Sequence, residues 1–165
     1  MATGSLISVI CSTYNRPDAL SSSLLGLLRQ ADTKFEIIIA DDGSTQETRQ
    51  IVDLYRTRAP IRIHHVWHED LGFRLAAIRN LALKYAQGEY ILLLDGDCIP
   101  SPYWITNHRK LAEDGWTVSG QRILTSQDFC TEILESADFA KKLDWSASHF
   151  KRLSRAGKIN RWQPV

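Results

Sequence analysis

"EYILLLDGDCIP", residues 89–100, places the apolar run Ile91–Leu92–Leu93–Leu94 directly before Asp95, Gly96 and Asp97. A short continuous apolar run bounded by a turn signal reads as a strand buried on both faces. Such a strand delivers two carboxylates, one residue apart, to its own carboxyl end. Working outward, the same arrangement recurs. "LISVIC" (6–11) and "FEIIIA" (35–40) read as buried strands, "IRIHHVW" (61–67) as a third and "YILLLD" (90–95) as the fourth, with "WTVSG" (116–120) as a candidate fifth. Helical patterns separate them. Pro17 and Asp18 suit a first turn before the stripe of Leu20, Leu24, Leu25, Leu27 and Leu28. Ser44 or Thr45 with Glu47 or Thr48 reads as a capping box before Ile51, Val52 and Tyr55. "FRLAAIRNLALKYA" (73–86) is predicted to end at Gly88 as a C-cap, and a further helix follows Pro102. Strands buried on both faces and alternating with helices predict an α/β three-layer sandwich with a mainly parallel sheet.

Composition sets the bounds. The 165 residues are 44% hydrophobic and 24% charged, with a formal net charge of +1, as in an ordinary globular domain with no basic field for nucleic acid. No apolar run approaches the roughly 20 residues of a membrane helix. The start, "MATGSLISVICSTYN", lacks the basic region of a secretory signal. Cys11, Cys98 and Cys130 are odd in number and widely spaced, which suits reduced thiols in the cytoplasm. Two regions are expected: an α/β domain over 1–120 and a helical continuation over 121–165. The closing "KINRWQPV" reads as cut rather than finished.

Ligands of open parallel sheets gather at the carboxyl ends of the strands. Here those ends read "CSTYNRP", "DDGS", "HEDLGFR" and "DGDC". Asp41, Asp42, Asp95 and Asp97 should therefore converge on one rim, with Glu69 and Asp70 close by. Like charges at ~4 Å repel by roughly 4 kcal/mol at an effective dielectric near 20, so something cationic belongs among them. Arg74 and Arg79 can supply part of that charge, and Mn²⁺ or Mg²⁺ the rest. Such ions take carboxylates completed by substrate phosphates, and Gly96 allows the turn that sets Asp95 and Asp97 on one complex. No GxxxxGK(S/T) and no GxGxxG after a strand is present, so metal-bridged phosphate binding remains.

"ISVICSTYNRPDALSSSLLGLLRQ", "FEIIIADDGSTQET" and "DLGFRLAAIRNLALKYAQGEYILLLDGDCIPSPYWI" together resemble the nucleotide-sugar-binding half of family 2 glycosyltransferases, which have the Rossmann-like GT-A fold. The resemblance spans about residues 6 to 105, and the "GFR…RN" version is similar to polysaccharide-forming members. It implies that Ser12, Tyr14 and Asp42 cradle the uracil end of a UDP-sugar, with Asp41 sharing the task. It implies that Arg79 meets the diphosphate or the base, that Asp95 lies near ribose and metal, and that Asp97 ligates the metal. The implied reaction is metal-dependent and inverting: a sugar passes to a hydroxyl of a carbohydrate or glycolipid acceptor, with a carboxylate as general base. The implied setting is cytoplasmic, with peripheral contact at the inner face of the membrane.

Nothing after Asp97 resembles the family's general base. Asp128, Glu132, Glu135, Asp138 and Asp144 read as solvated helix faces. The chain is therefore expected to be a donor-binding fragment, and a non-catalytic nucleotide-sugar-binding module is the alternative. A phosphoacceptor signalling domain also clusters acids at strand ends, but needs its acidic pair after the first strand, not the second. His64 and His65 alternate across a strand, which argues against zinc. Cys98 reads as a small packed residue. Trp67, Trp104, Trp116, Trp145 and Trp162 read as core, with Trp104 able to touch a sugar, while Arg74 and Lys84 read as solvated.

Overall fold

The structure, a computed structural model, describes residues 5–136, 139 and 143–160. Its order is β1 (Ile7–Thr13), α1 (Pro17–Leu28), β2 (Phe35–Asp41), α2 (Gln46–Arg58), β3 (Ile63–Trp67), α3 (Leu75–Leu83), β4 (Tyr90–Asp95), α4 (Trp104–Leu111), α5 (Gln127–Leu134) and α6 (Ala147–Arg155). The chain divides into two compact units, 1–118 and 119–165.

In the first unit, four strands form one sheet in the order β3-β2-β1-β4, and every neighbouring pair is parallel. All seven residues of β1 and of β2 are buried, which is why their sequences are continuous apolar runs rather than alternating ones. On one face Ile7, Val9, Cys11, Ile37, Ile39, Leu92 and Leu94 pack with Leu20, Leu24 and Leu27 of α1, Val52 and Tyr55 of α2, and Ile105 of α4. On the other, Ile10, Ile38, Ala40 and Val66 pack with Ile78 and Ala82 of α3. The expected three-layer α/β sandwich with a parallel sheet is thus present in this unit.

Several local readings need correction. Thr45 is the N-cap of α2 but its side chain makes no capping bond, so no capping box forms. Instead its backbone N–H donates to Asn15 Oδ1 at 2.8 Å, which ties the helix start to the chain after β1. Helix α3 ends with Lys84 as its C-cap, not Gly88. The Gly88 N–H donates to Ser8 Oγ at 2.8 Å, and Ser8 in turn donates to buried Glu36 at 2.7 Å. Gly88 serves close approach: a Cβ there would lie 2.5 Å from the Ser8 nitrogen. Residues 116–120 form no strand. Trp116 is 71% exposed and Trp67 51% exposed, so neither belongs to the core, whereas Trp104 packs against it.

Beyond β4, Arg109 of α4 donates to both Asp32 oxygens, at 2.6 and 3.2 Å, and to the Ser5 and Lys34 carbonyls. The guanidinium holds the Asp32 carboxyl below its usual range. In the second unit, Ser126 and Ser146 cap α5 and α6 through their side chains, and Phe129, Ile133, Phe150 and Leu153 are buried. Asp128, Glu135 and Asp144 are exposed, Glu132 pairs with Lys158 at 2.8 Å, and Asp138 and Trp162 lie outside the described residues.

Leu24 is fully buried between α1 and the sheet. Leu24→Ala should lower unfolding stability by about 2–5 kcal/mol, read from urea denaturation, through lost burial plus the cavity left behind.

Candidate functional site

The strand order decides where a ligand can sit. From β1 the chain crosses outward to β2 and β3, then returns across β1 to β4, so the connections diverge between β1 and β4. A crevice opens at such a switch point, outside the carboxyl ends of the strands. The register puts Ser12 opposite Asp95 there, and Thr13 opposite Asp41 on the other side of β1. Strands lie ~4.8 Å apart, so β2 and β4 flank β1 with their ends roughly 10 Å from one another. The expected convergence of Asp41, Asp42, Asp95 and Asp97 on one rim follows from that register.

Two glycines allow the rim to close. The Gly96 N–H donates to the Ser12 carbonyl at 2.7 Å, and a Cβ on Gly96 would stand 2.6 Å from that oxygen. The Cys98 N–H closes the turn on the Asp95 carbonyl at 2.9 Å, and Ser23 of α1 donates to the Gly96 carbonyl at 2.9 Å. Gly43 has φ +97°, and a Cβ there would stand 2.6 Å from the Asp70 Cα, so only glycine admits this approach of the chain after β3. The segment after β3 is thereby drawn over the end of β2.

The acids are not equivalent. Asp41 is wholly buried: Oδ1 accepts from the Ser44 N–H at 2.8 Å and Oδ2 from His65 Nε2 at 2.8 Å. Asp42, 4% exposed, accepts from His68 Nε2 at 2.6 Å and from the Arg74 N–H at 2.9 Å, at the start of α3. Tyr14, half-exposed, donates its hydroxyl to Asp70 Oδ2 at 2.8 Å. That bond holds the Asp70 carboxyl below its usual range and pushes the Tyr14 phenol up. Arg79 of α3 reaches Asp95 at 2.6 Å and Ser12 Oγ at 3.0 Å with one nitrogen. Arg74 is not simply solvated, since its guanidinium donates to the Glu69 carbonyl at 2.6 Å.

His65 and His68 are the rim residues that sequence reasoning missed. His65 lies in β3 and His68 directly after it, and only the pairing of β3 with β2 sets them beside Asp41 and Asp42. The motif "HED" directly after a strand was the available signal. His64 faces the other way and contacts the Tyr85 ring, so the three histidines do not meet.

Asp95, Asp97 and Cys98 offer ligand atoms that all lie within 4.8 Å of one another. Two carboxylates suit a hard divalent cation such as Mg²⁺ or Mn²⁺, and the set fits one. Asp97 is the exposed member and accepts from the Cys98 thiol at 3.6 Å. Behind them, burial pushes the Cys11 thiol up to about 12, with the charges of Cys98, Asp95 and Asp97 adding to the effect and Arg79 opposing it.

A parallel sheet with an acidic rim at its switch point is the arrangement expected of a GT-A type domain. The chain matches the family described as Glycosyl transferase family 2 over residues 8–160, and it belongs to that family. It is 30% identical to a chondroitin synthase of Escherichia coli over 88% of this chain and 24% of the synthase. It is 37% identical to a hyaluronan synthase of Pasteurella multocida over 70% of this chain and 12% of that protein. The chain therefore spans a quarter or less of the length of these relatives. Among solved structures, a Pyrobaculum calidifontis mannosyltransferase in complex with GDP-Man and Mn²⁺ superposes with a TM-score of 0.59 at 28% identity, over 66% of this chain and 32% of that one. Staphylococcus aureus TarS 1–349 in complex with UDP-GlcNAc gives 0.55 at 26% identity, over 71% and 38%.

Two outcomes are expected. Gly96→Ala should lower stability by about 1–3 kcal/mol in urea melts, because the new methyl meets backbone. Cys11 is buried as the thiol, with its pKa raised above the unfolded value of 9.0. Its contribution is fully present below pH 9 and is lost as pH rises from 9 towards 12, up to about 1.4 kcal/mol per pH unit. Stability of wild type against Cys11→Ala across that range measures it.

Proposed function

We propose that this chain is the donor-binding part of a metal-dependent inverting glycosyltransferase that moves a sugar from a UDP-sugar to a hydroxyl of a carbohydrate or glycolipid acceptor. The observation that carries the reading is the meeting of Ser12, Arg79 and Asp95 at the β1–β4 switch point, beside Asp97. Membership of the family and the nucleotide sugars named for the TarS and mannosyltransferase complexes support it.

In this reading Tyr14 and Asp42 frame the base. The His68 and Arg74 contacts hold the Asp42 carboxylate in place, and a base N–H would share or replace one of them. Asp41, buried and fully engaged, acts by fixing the turn at Ser44 rather than by touching the nucleotide. Ser12 and Arg79 lie where ribose and diphosphate pass. Asp97, with Asp95, holds Mn²⁺ or Mg²⁺, which when bound supplies charge stabilisation to the departing nucleoside diphosphate. A cytoplasmic setting, at the inner face of the membrane, belongs to the same proposal. Among the described residues no helix is long and apolar enough to cross a membrane.

One observation favours the second reading, a module that binds nucleotide-sugar without turning it over. Asp41, Asp42 and Asp70 are all engaged in hydrogen bonds, and none stands ready as a general base.

Calorimetric titration with UDP is expected to give binding with Mn²⁺ and none with EDTA. Asp97→Asn should weaken it at least roughly tenfold, about 1.4 kcal/mol. Equal affinity in EDTA defeats the metal assignment. Release of UDP from a UDP-sugar at a catalytic rate selects the enzyme over the binding module.

A further inference from the structure

We propose that Arg79 is a built-in countercation that keeps Asp95 from taking a divalent ion until a diphosphate arrives, so that metal and nucleotide bind as a coupled pair. This rests on the donor-site reading above. The contact is specific: one guanidinium nitrogen lies 2.6 Å from Asp95 Oδ1 and 3.0 Å from Ser12 Oγ, and Ser12 is the register partner of Asp95. Among the described residues Ser12 and Asp95 are its hydrogen-bond partners, and its Nε is buried without one. Neighbouring Ile78 is fully buried against the sheet, which holds that part of α3 in place.

The electrostatics follow from that geometry. A divalent ion shared by Asp95 and Asp97 would sit next to a fixed positive charge that already neutralises one of its ligands. The pair is partly shielded from solvent, Arg79 being 26% and Asp95 42% exposed, so the repulsion is only partly screened. Arginine cannot relieve it by losing a proton. Relief has to come as an anion. Diphosphate oxygens complete the shell of the ion and at the same time offset the guanidinium. Asp97, whose contact here is the Cys98 thiol rather than a cation, is left as the stronger first ligand. Linkage then requires that nucleotide tighten the metal and metal tighten the nucleotide by the same factor.

The test measures Mn²⁺ binding to the whole chain, without nucleotide and with saturating UDP, from the spin-resonance signal of the unbound ion. Arg79→Gln should bind Mn²⁺ alone roughly tenfold more tightly than wild type, and the tightening by UDP should shrink by a similar factor. Arg79→Lys, which keeps the charge, should behave more like wild type. A merely structural role predicts the opposite sign, with weaker binding and a lower unfolding midpoint. Should Arg79→Gln fold poorly, Arg79→Met keeps the apolar stem and serves in its place. Unchanged or weaker binding of Mn²⁺ alone by a folded variant overturns the proposal, as does a wild-type Mn²⁺ affinity indifferent to UDP. If the variant result fails while wild type still needs Mn²⁺ to bind UDP, the donor site stands and only the countercation is lost. If wild type binds no UDP with Mn²⁺ present, both go.

Discussion

Burial of β1 on both faces, between two parallel neighbours, is the constraint from which the rest follows. Its backbone groups are consumed by β2 and β4, and its side chains by α1 and α2 on one face and α3 on the other. No polar group can leave such a strand sideways without losing its water, so chemistry is confined to the ends. At the amino end a small buried network of Ser8, Glu36 and the Gln87–Gly88 backbone closes the layer. At the carboxyl end the chain turns away in opposite directions on the two sides of β1, and the gap is where Ser12, Arg79 and Asp95 meet.

The rim concentrates carboxylates, and the fold answers each in a different way. Asp41 is satisfied by a histidine and a backbone N–H, and so is Asp42, at the cost of near-complete burial. Asp70 is satisfied by a phenol and a backbone N–H while staying in solvent. Asp95 has an arginine, and Asp97 faces outward beside a thiol. Negative charge is thus tied down along β2 and β3 and left for a ligand at the β4 corner. Under the function proposed above, this division would hold a base at one end of the crevice and a metal-bound diphosphate at the other.

Much of this was legible without coordinates. Continuous apolar runs at β1 and β2 belong to strands covered on both sides, as read, whereas the run at β4 is buried only at Leu92 and Leu94, with Leu93 56% exposed, so that strand is not covered on both faces. The acidic endings of β2 and β4 point one way because the strands are parallel. The errors were local and share a cause. Thr45, Gly88 and the stretch 116–120 carry the chemistry of a cap, a helix stop and a strand, but tertiary contacts use them otherwise. Gly88 is needed for its lack of a side chain against Ser8, not for its backbone freedom. Trp67 and Trp116 look like core by composition and sit outside, because hydrophobicity states a preference and not a place.

What the amino-acid order determined by itself was the layered α/β architecture and the presence of carboxylates at the strand ends, since both depend on short-range pattern and period. Which acid meets which partner was decided only by the tertiary structure. The order β3-β2-β1-β4 sets His65 and His68 against Asp41 and Asp42, and brings Arg79 under Asp95. Those pairings join residues 16 to 26 positions apart, held together by sheet register and helix packing rather than by anything local in the chain.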